Sequence, residues 1–311
     1  MSSRAPEKAL VAAERAVGEL RRELERAYGW TRLEVQLALG SHETGLIARG
    51  TVVVPRVARR LRAALLDAVP EGWAVDTSGV LPLETGDWHG MGDEVTPLWQ
   101  RHPSRGRALS TELLLEDGPV ELLAKHQDAS LVRCMDGSVG WIEREPTGHV
   151  PAPRIDAARG TADAVVAAAR VFLDVPYRLG GATSAGIDCS ALLSRAFARG
   201  FGVRLPRHST DQLVATVSLG HAPEQTGDLV FAWTEREGPC HVGVVVEGSP
   251  MTVIHASLSR KRVVEDTLDR FLWGAERSEA ATLGRVLDYH AKNVGRSSLE
   301  LPSEEAEVDA D

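Results

Sequence analysis

The chain contains little cysteine and no long apolar run. Its 311 residues include three cysteines, Cys134, Cys189 and Cys240, and none of them belongs to a Cys-x-x-Cys pair. So small and odd a number gives neither a disulfide framework nor a thiolate set for structural zinc. No segment approaches the roughly 18 consecutive apolar residues of a membrane span, and charged residues interrupt the start of the chain. We therefore expect a cytoplasmic protein with no membrane partner, in a reducing compartment that keeps a reactive thiol intact.

An excess of basic residues is also missing. The 35 Lys and Arg residues are outnumbered by 44 Asp and Glu residues, which leaves a formal net charge of −9. A general nucleic-acid binder carries a basic face, so we expect no nucleic-acid partner. Part of the acidity lies at the carboxyl terminus in a stretch without apolar periodicity, where we predict a disordered tail over residues 289–311.

Segments of different periodicity divide the rest of the chain. A helical pattern over residues 7–27, a strand pattern over 33–39 and a helix opened by Pro55 predict an α/β module. Short strands between Asp and Gly turns then predict a small β-barrel. A stretch containing prolines predicts a linker, and a mixture of helical and strand periods predicts an α+β domain. The predicted boundaries are 1–90 for the α/β module, 91–148 for the barrel, 149–160 for the linker, 161–288 for the α+β domain and 289–311 for the tail.

A glycine-rich loop leads into an apolar helix at Cys189. Helical periodicity runs over residues 191–199 and is expected to stop at Gly200. Cys189 then lies at or just before the amino terminus of the helix, where unpaired N–H groups and the helix dipole favour an anion. A thiol in such a position forms the nucleophilic thiolate more readily. The preceding Asp188 either caps this helix or contacts a ligand.

Two histidines could activate that thiol. His241 opens the predicted strand 241–246, and a neutral imidazole held at a strand end can take a thiol proton. His255 lies in the predicted strand 253–257, which we expect to pair with the first one. This pairing would bring His255 to the far nitrogen of His241, where a third group usually orients the base.

The other cysteines and most other histidines favour structural or solvated positions. Cys134 lies inside an apparent strand, and strand alternation points Cys240 to the opposite face from His241, so both cysteines are interpreted as small core residues. No metal site is predicted. Histidines in turn-like or polar stretches are interpreted as solvated, namely His42, His89, His102, His126, His149, His221 and His290.

Five ordered sequence blocks resemble the NlpC-type papain-like endopeptidases, over about residues 160–285. The blocks are Pro176-Tyr177 with Gly180-Gly181 and Asp188-Cys189-Ser190, then Leu205-Pro206-Arg207-His208-Ser209, Gly227-Asp228-Leu229-Val230-Phe231, His241-Val242-Gly243 and Ile254-His255-Ala256. The resemblance implies an α+β fold with a papain-like catalytic domain, in which helices pack on an antiparallel sheet. The chain departs from the family at Leu179, where an aromatic residue is usual, and at Ala191, where glycine is usual. These positions affect groove packing and specificity rather than the type of reaction.

The resemblance also assigns roles to individual positions. Cys189 would be the nucleophile, His241 the base and His255 the group that orients it. Tyr177 would help to polarise the oxyanion. His208 fits either the substrate groove or an ordinary loop. The residues expected to contact substrate are Asp188, Ser190, His208 and Ser209; no cofactor is implied, because hydrolysis by a thiolate needs none.

The barrel segment carries a second resemblance. Strands Ser110–Leu114, Pro119–Leu123, Leu131–Arg133 and Gly140–Ile142 resemble bacterial SH3-like domains, which often accompany cell-wall hydrolases. In two-domain relatives such a domain can close one end of the groove, so that only peptides with a free amino terminus fit and Asp188 would pair with the ammonium group.

Together the two resemblances imply a cysteine endopeptidase that acts on murein-derived peptides. It would hydrolyse γ-D-glutamyl-diamino acid amide bonds through a thioester acyl-enzyme, in the recycling of free muropeptides. A non-catalytic murein-binding protein and a thiol acyltransferase on the same fold are the alternatives. The complete set of Cys189, His241 and His255 argues against the first, and the order of cysteine before histidine argues against the second.

Overall fold

The structure is a computed structural model that describes residues 4–28, 30–40, 44–92, 94–153, 159–234, 241–285 and 287. The chain divides into two compact units, Met1–Arg154 with Arg178–Asp188, and Ile155–Tyr177 with Cys189–Asp311. Among the described helices, none combines the length and the apolar character needed to cross a bilayer. Some sequence predictions fall outside the described residues, namely those for His42, Cys240, His290, residues 154–158 of the linker and the tail 289–311.

The first unit begins with a small sheet and two helices. Apolar residues at helical spacing, among them Ala13, Leu20 and Leu24, give α1 one buried face. At Gly50 the strands approach so closely that a Cβ would lie 1.9 Å from the Glu34 carbonyl oxygen, so only glycine fits. Strand β2 pairs antiparallel with β1 and parallel with β3. The elements are α1 (Arg4–Tyr28), β1 (Leu33–Leu39), β2 (Gly45–Val52), α2 (Pro55–Ala68) and β3 (Ala74–Pro82).

A six-stranded antiparallel sheet follows in the same unit. Its strands are β4 (Trp88–His89), β5 (Thr96–Trp99), β6 (Leu109–Leu113), β7 (Val120–His126), β8 (Ala129–Arg133) and β9 (Val139–Ile142), in the order β4-β7-β8-β9-β5-β6, with short 3-10 helices at Pro103–Arg105 and Leu115–Asp117. Cys134 is buried in its core with Leu98 and Val132. Burial raises the pKa of the Cys134 thiol, which keeps it protonated and inert.

The loop that leads to Cys189 is held by this sheet. Residues Arg178–Asp188 contain a two-stranded hairpin of β10 (Ala182–Thr183) and β11 (Gly186–Ile187). The buried carboxylate of Glu112, on β6, accepts hydrogen bonds from Arg178 Nη1 at 2.8 Å and from the Ala182 N–H at 3.1 Å. A buried charge is stable only when it is paired in this way, so Glu112 fixes the conformation of the hairpin.

The second unit packs helices on an antiparallel sheet. Helices α3 (Ala162–Arg170) and α4 (Cys189–Phe201) contact each other and strands β14 (His241–Val246) and β15 (Thr252–Ser257). The sheet order is β12-β17-β13-β14-β15-β16. This arrangement agrees with the predicted α+β class. The elements are α3 (Ala162–Arg170), α4 (Cys189–Phe201), α5 (Ser209–Val214), β12 (Val217–Ser218), β13 (Leu229–Trp233), β14 (His241–Val246), β15 (Thr252–Ser257), β16 (Arg262–Thr267), α6 (Leu268–Phe271) and β17 (Arg277–Thr282).

The predicted end of the cysteine helix is wrong. Helix α4 continues through Gly200 to Phe201, and the chain leaves it at Gly202, whose φ is +72°. Gly200 instead permits close helix packing, because a Cβ there would lie 2.5 Å from the backbone nitrogen of Val165 on α3. Sequence alone does not separate a glycine that ends a helix from one that lets another helix approach.

Candidate active site

Cys189 is the first residue of α4 and is 7% exposed. The first N–H groups of a helix have no intrahelical acceptor, and the helix dipole is positive at this end. Both effects stabilise a thiolate at Cys189 and a negative oxygen near it. The Asp188 carboxylate, also buried, accepts the Gly180 N–H at 2.8 Å. Asp188 therefore shapes the loop that precedes the helix.

Hydrogen bonds from a neighbouring segment hold the first turn of α4. The hydroxyl of Ser190 is buried and accepts from Arg207 Nη1 at 3.0 Å. Gln212, which has no exposed surface, donates from Nε2 to the carbonyl oxygens of Ser190 and Pro206, each at 2.8 Å. Gln212 was missed by the sequence analysis because an isolated glutamine carries no motif.

The remaining predicted substrate residues lie at the start of α5. His208 occupies the N-cap position of this helix, and Ser209 is its first residue. Both residues are half-buried. Their roles stay predictions.

The two predicted catalytic histidines are hydrogen-bonded to each other. His241 Nε2 lies 2.7 Å from His255 Nδ1, and the ring centroids are 4.9 Å apart. The contact arises from strand geometry. His241 opens β14 and His255 lies on the adjacent antiparallel strand β15, so the alternation of side chains brings both rings to one face.

Phe271 packs against both rings. Its own ring stacks on His241 with centroids 5.1 Å apart and meets the edge of His255 at 5.0 Å. Phe271 is 6% exposed and belongs to the short helix α6. It removes water from the histidine pair and restricts the orientation of each imidazole.

Asp266 extends the line of polar groups beyond His255. Its Oδ2 lies 3.5 Å from His255 Nε2, which has no hydrogen-bond partner within normal distance among the described residues. Arg260 pairs with the other oxygen of Asp266 at 2.9 Å. On β16, Asp266 stands opposite Val253 and two residues from the position facing His255. Asp266 could have been identified from the sequence as an acidic residue in the strand after His255, at the two-residue spacing that keeps side chains on one face.

Burial sets the charge state of the pair. Burial, followed by the adjacent His255, lowers the pKa of His241 from 6.5 to about 3. The pKa of His255 is also lowered, mainly by burial, although Asp266 acts to raise it. Both imidazoles are therefore neutral at pH 7, which is the form that can accept the proton of a thiol.

Tyr177 is anchored beside β16. Its backbone N–H donates to the Lys261 carbonyl at 2.8 Å, and the preceding Pro176 forms an isolated bridge with Arg262. The side chain of Tyr177 is half-buried. Its predicted oxyanion role stays a prediction.

The region that contains Tyr177, Cys189 and the two histidines is similar to known proteins. Residues 174–281 match the NlpC/P60 family. The Escherichia coli K12 protein named murein DD-endopeptidase MepS/murein LD-carboxypeptidase is 36% identical over 106 residues, which are 34% of this chain and 54% of that protein. The Bacillus subtilis 168 protein named gamma-D-glutamyl-L-lysine dipeptidyl-peptidase is 32% identical over 120 residues, 38% of this chain and 40% of that protein.

One solved structure, of an NlpC/P60 family protein from Bacillus cereus ATCC 10987, covers 65% of this chain and 65% of its own, with 19% identity and a TM-score of 0.36. The chain spans about half the length of the curated relatives it matches. Their names, which include endopeptidases and peptidases, agree with the prediction of a peptidase. The similarity to the NlpC/P60 family thus covers residues 174–281, about a third of the chain.

Proposed function

We propose that the NlpC/P60 domain at residues 174–281 is a cysteine endopeptidase that hydrolyses amide bonds in murein stem peptides. The observation that carries the proposal is the hydrogen-bonded, neutral pair of His241 and His255, in the same unit as a cysteine at a helix amino terminus. Candidates for nucleophile, base and orienting group thus lie in one unit, and the proteins similar to it include one named as a murein endopeptidase and one named as a probable endopeptidase, which supports the proposal.

The proposed reaction proceeds through a thioester. His241 takes the proton of the Cys189 thiol, and the thiolate attacks the carbonyl carbon to form a C–S bond. The negative oxygen that develops is bound by the Cys189 N–H and the Tyr177 hydroxyl, and loss of one such donor costs about 10²–10³ in rate. The C–N bond breaks as protonated His241 gives its proton to the leaving amine. Water, deprotonated by His241, then hydrolyses the thioester and restores the thiol.

His255 and Asp266 are proposed as positioning residues. His255 holds the His241 ring by the 2.7 Å hydrogen bond, so that the other ring nitrogen is directed away from it. When His241 becomes an imidazolium during the reaction, the negative charge of Asp266 favours that state through His255. Asp266 thus offsets part of the effect of burial, which lowers the pKa of His255.

The γ-D-glutamyl-diamino acid bond is proposed as the one cleaved. The Bacillus subtilis relative is named for a γ-D-glutamyl bond to L-lysine, whereas the Escherichia coli relative is named for DD-endopeptidase and LD-carboxypeptidase activities. We propose free muropeptides as the substrates, with Asp188 as the partner of their terminal ammonium. The buried Asp188 carboxylate directly precedes Cys189 in the chain, which supports this role. With free muropeptides as substrates, we propose that the reaction serves the recycling of these peptides in the cytoplasm.

The test is a hydrolysis assay with the purified full chain. Wild type, Cys189→Ala and the matched control Cys134→Ala are incubated in reducing buffer with L-Ala-γ-D-Glu-diaminopimelate, and products are read by mass spectrometry. Wild type and Cys134→Ala should release diaminopimelate, and Cys189→Ala should release none.

Two further substrates separate the alternatives. Cleavage of intact sacculi in preference to the free tripeptide would contradict the recycling role, and cleavage of only D-alanyl cross-links would contradict the proposed bond. No release from any substrate would overturn the peptidase assignment. Transfer of the acyl group to an added amine in place of water would favour an acyltransferase.

A further inference from the structure

A second group of two histidines and one aspartate lies in the first unit, at the edge strand β4. One ligand atom from each of Asp87, His89 and His149 lies within 4.8 Å of the other two. A single oxygen, Asp87 Oδ1, is 2.9 Å from His89 Nε2 and 3.0 Å from His149 Nδ1. Two segments about sixty residues apart supply these side chains, the first with Asp87 and His89 and the second with His149.

Backbone hydrogen bonds hold the two histidines together. Strand β4 pairs on one side with β7, and on the other His89 forms an isolated bridge with His149. Around that bridge, the Thr147 N–H donates to Gly90 O at 2.9 Å, and the Val150 N–H donates to Trp88 O at 2.9 Å. The convergence therefore has a fixed backbone scaffold and does not depend on side-chain rotamers alone.

The contacts of His89 leave room for a cation at this point. His89 Nδ1 lies 3.1 Å from the Thr147 carbonyl oxygen, and a carbonyl only accepts, so Nδ1 carries the hydrogen. In the neutral ring Nε2 is then a bare lone pair, yet it faces the carboxylate oxygen of Asp87 at 2.9 Å. Two acceptors at this distance repel unless a proton or a metal ion lies between them. A metal-binding imidazole usually donates the N–H of its other ring nitrogen to a carbonyl or carboxylate oxygen, and His89 Nδ1 makes such a contact with the Thr147 carbonyl.

We propose that Asp87, His89 and His149 form a zinc-binding site. Imidazole nitrogens and a carboxylate oxygen are zinc ligands, with bonds of about 2.0–2.2 Å, and tetrahedral angles then place ligand atoms about 3.3 Å apart. The present spacings of 2.9 and 3.0 Å, from Asp87 Oδ1 to His89 Nε2 and His149 Nδ1, are a few tenths of an ångström below this value. The His149 side chain is 78% exposed and that of Asp87 36%, so the site is open to the ion and to water as a fourth ligand.

The bound ion would connect two short segments of the first unit. Strand β4 has only two residues, Trp88 and His89, and residues 147–150 belong to the segment after strand β9. A metal bound to both His89 and His149 would tie these two segments together. Because a bound ligand stabilises only the state that binds it, zinc should raise the melting temperature of the protein.

The test uses the full chain with Cys189→Ala as background, because a reactive thiolate is itself a zinc ligand. Tag-free, chelator-treated protein is titrated with zinc against a chromophoric chelator, and bound zinc is counted by mass spectrometry after desalting. One ion per chain is expected. Adding His149→Ala should weaken binding by at least the roughly 10–100-fold that loss of an outer partner costs. The exposed His221→Ala is the matched control and should bind as the background does.

Three results would overturn the proposal. The first is the absence of zinc binding to the background protein at micromolar concentrations, which would leave a proton shared between Asp87 and His89 as the explanation of the contact. The second is an unchanged zinc affinity in both His149→Ala and Asp87→Asn. His149 is largely exposed, so its loss should leave the fold intact, and circular dichroism checks this. A rise in melting temperature with zinc that persists in His149→Ala would likewise place the ion elsewhere.

Discussion

Two regions of this chain use the same three side chains, two histidines and one aspartate, in different arrangements. In the sheet β12–β17, His241, His255 and Asp266 stand in a line, and each contacts the next. In the sheet that contains β4, two histidine nitrogens converge on one aspartate oxygen. A line can pass the effect of a charge from one end to the other, whereas a convergent set surrounds one position where a cation fits.

The two regions also differ in exposure to water. His255 is 4% exposed and is packed against Phe271, and burial lowers the pKa of both histidines there. His149, in the other group, has a side chain that is 78% exposed. Desolvation favours the neutral base that a thiol requires, and access to solvent favours exchange of a metal ion. The environment, more than the residue types, therefore assigns a different chemistry to each group.

The largest expected effect comes from removing His241, the proposed base in the linear group. His241→Ala should lower kcat for hydrolysis of the free tripeptide by about 10²–10⁴, the usual contribution of general acid–base catalysis. Steady-state kinetics with His221→Ala as control measure this. In the Cys189→Ala background, zinc affinity should be unaffected by His241→Ala. Survival of hydrolysis in His241→Ala would contradict the role of His241 as base. Loss of zinc binding in the same variant would contradict the assignment of zinc to the convergent group.

A smaller effect is expected at the far end of the line. Asp266→Asn should lower kcat by about 10-fold, equivalent to 1.4 kcal/mol, because the imidazolium loses a favourable charge. Asp266 raises the pKa of His255, so its loss should also move the acid limb of the pH–rate profile to lower pH. Asp266→Glu should restore part of the rate.

The control for Asp266 is Arg270→Ala, which removes a neighbour 3.7 Å from the same carboxylate. Damage to packing alone would reduce the rate at every pH without displacing the profile. An undisplaced profile in Asp266→Asn would therefore leave Asp266 with a structural role only.

Sequence reasoning reached the part of the site that local patterns determine. Cys189 was placed at a helix start from the change between a glycine-rich loop and an apolar period, and His241 at a strand start from the apolar run after it. Asp266 and Phe271 were not found. The contact of Asp266 depends on strand register, although its period-two position in the next strand was a usable signal, and Phe271 lies in a four-residue helix, which is too short to show a helical period.

The convergent group was only partly predicted, for a similar reason. A solvated side chain is predicted for both His89 and His149, since each stands alone in a polar stretch. The prediction is correct for His149, which is exposed, and wrong for His89, which is buried, and a bridge between distant segments joins the two residues. A strand of two residues is too short to show periodicity, so its pairing cannot be read from the sequence.

The smallest expected effect concerns the pH dependence of the free energy of unfolding, to which the buried linear group should contribute. Since the pKa of His241 is about 3 in the folded protein and near 6.5 when unfolded, the unfolded chain binds an extra proton between these values. The stability contributed by neutral His241 is complete above pH 6.5 and is lost as pH falls towards 3, by up to about 1.4 kcal/mol per unit. Urea unfolding between pH 4.5 and 7 should show a shallower pH dependence of the unfolding free energy in His241→Gln than in wild type. His149→Gln, at an exposed histidine, is measured beside it as the control substitution. Equal slopes in wild type and His241→Gln would mean that the histidine pair is hydrated in solution, and the contrast in burial between the two groups would then not explain their chemistry.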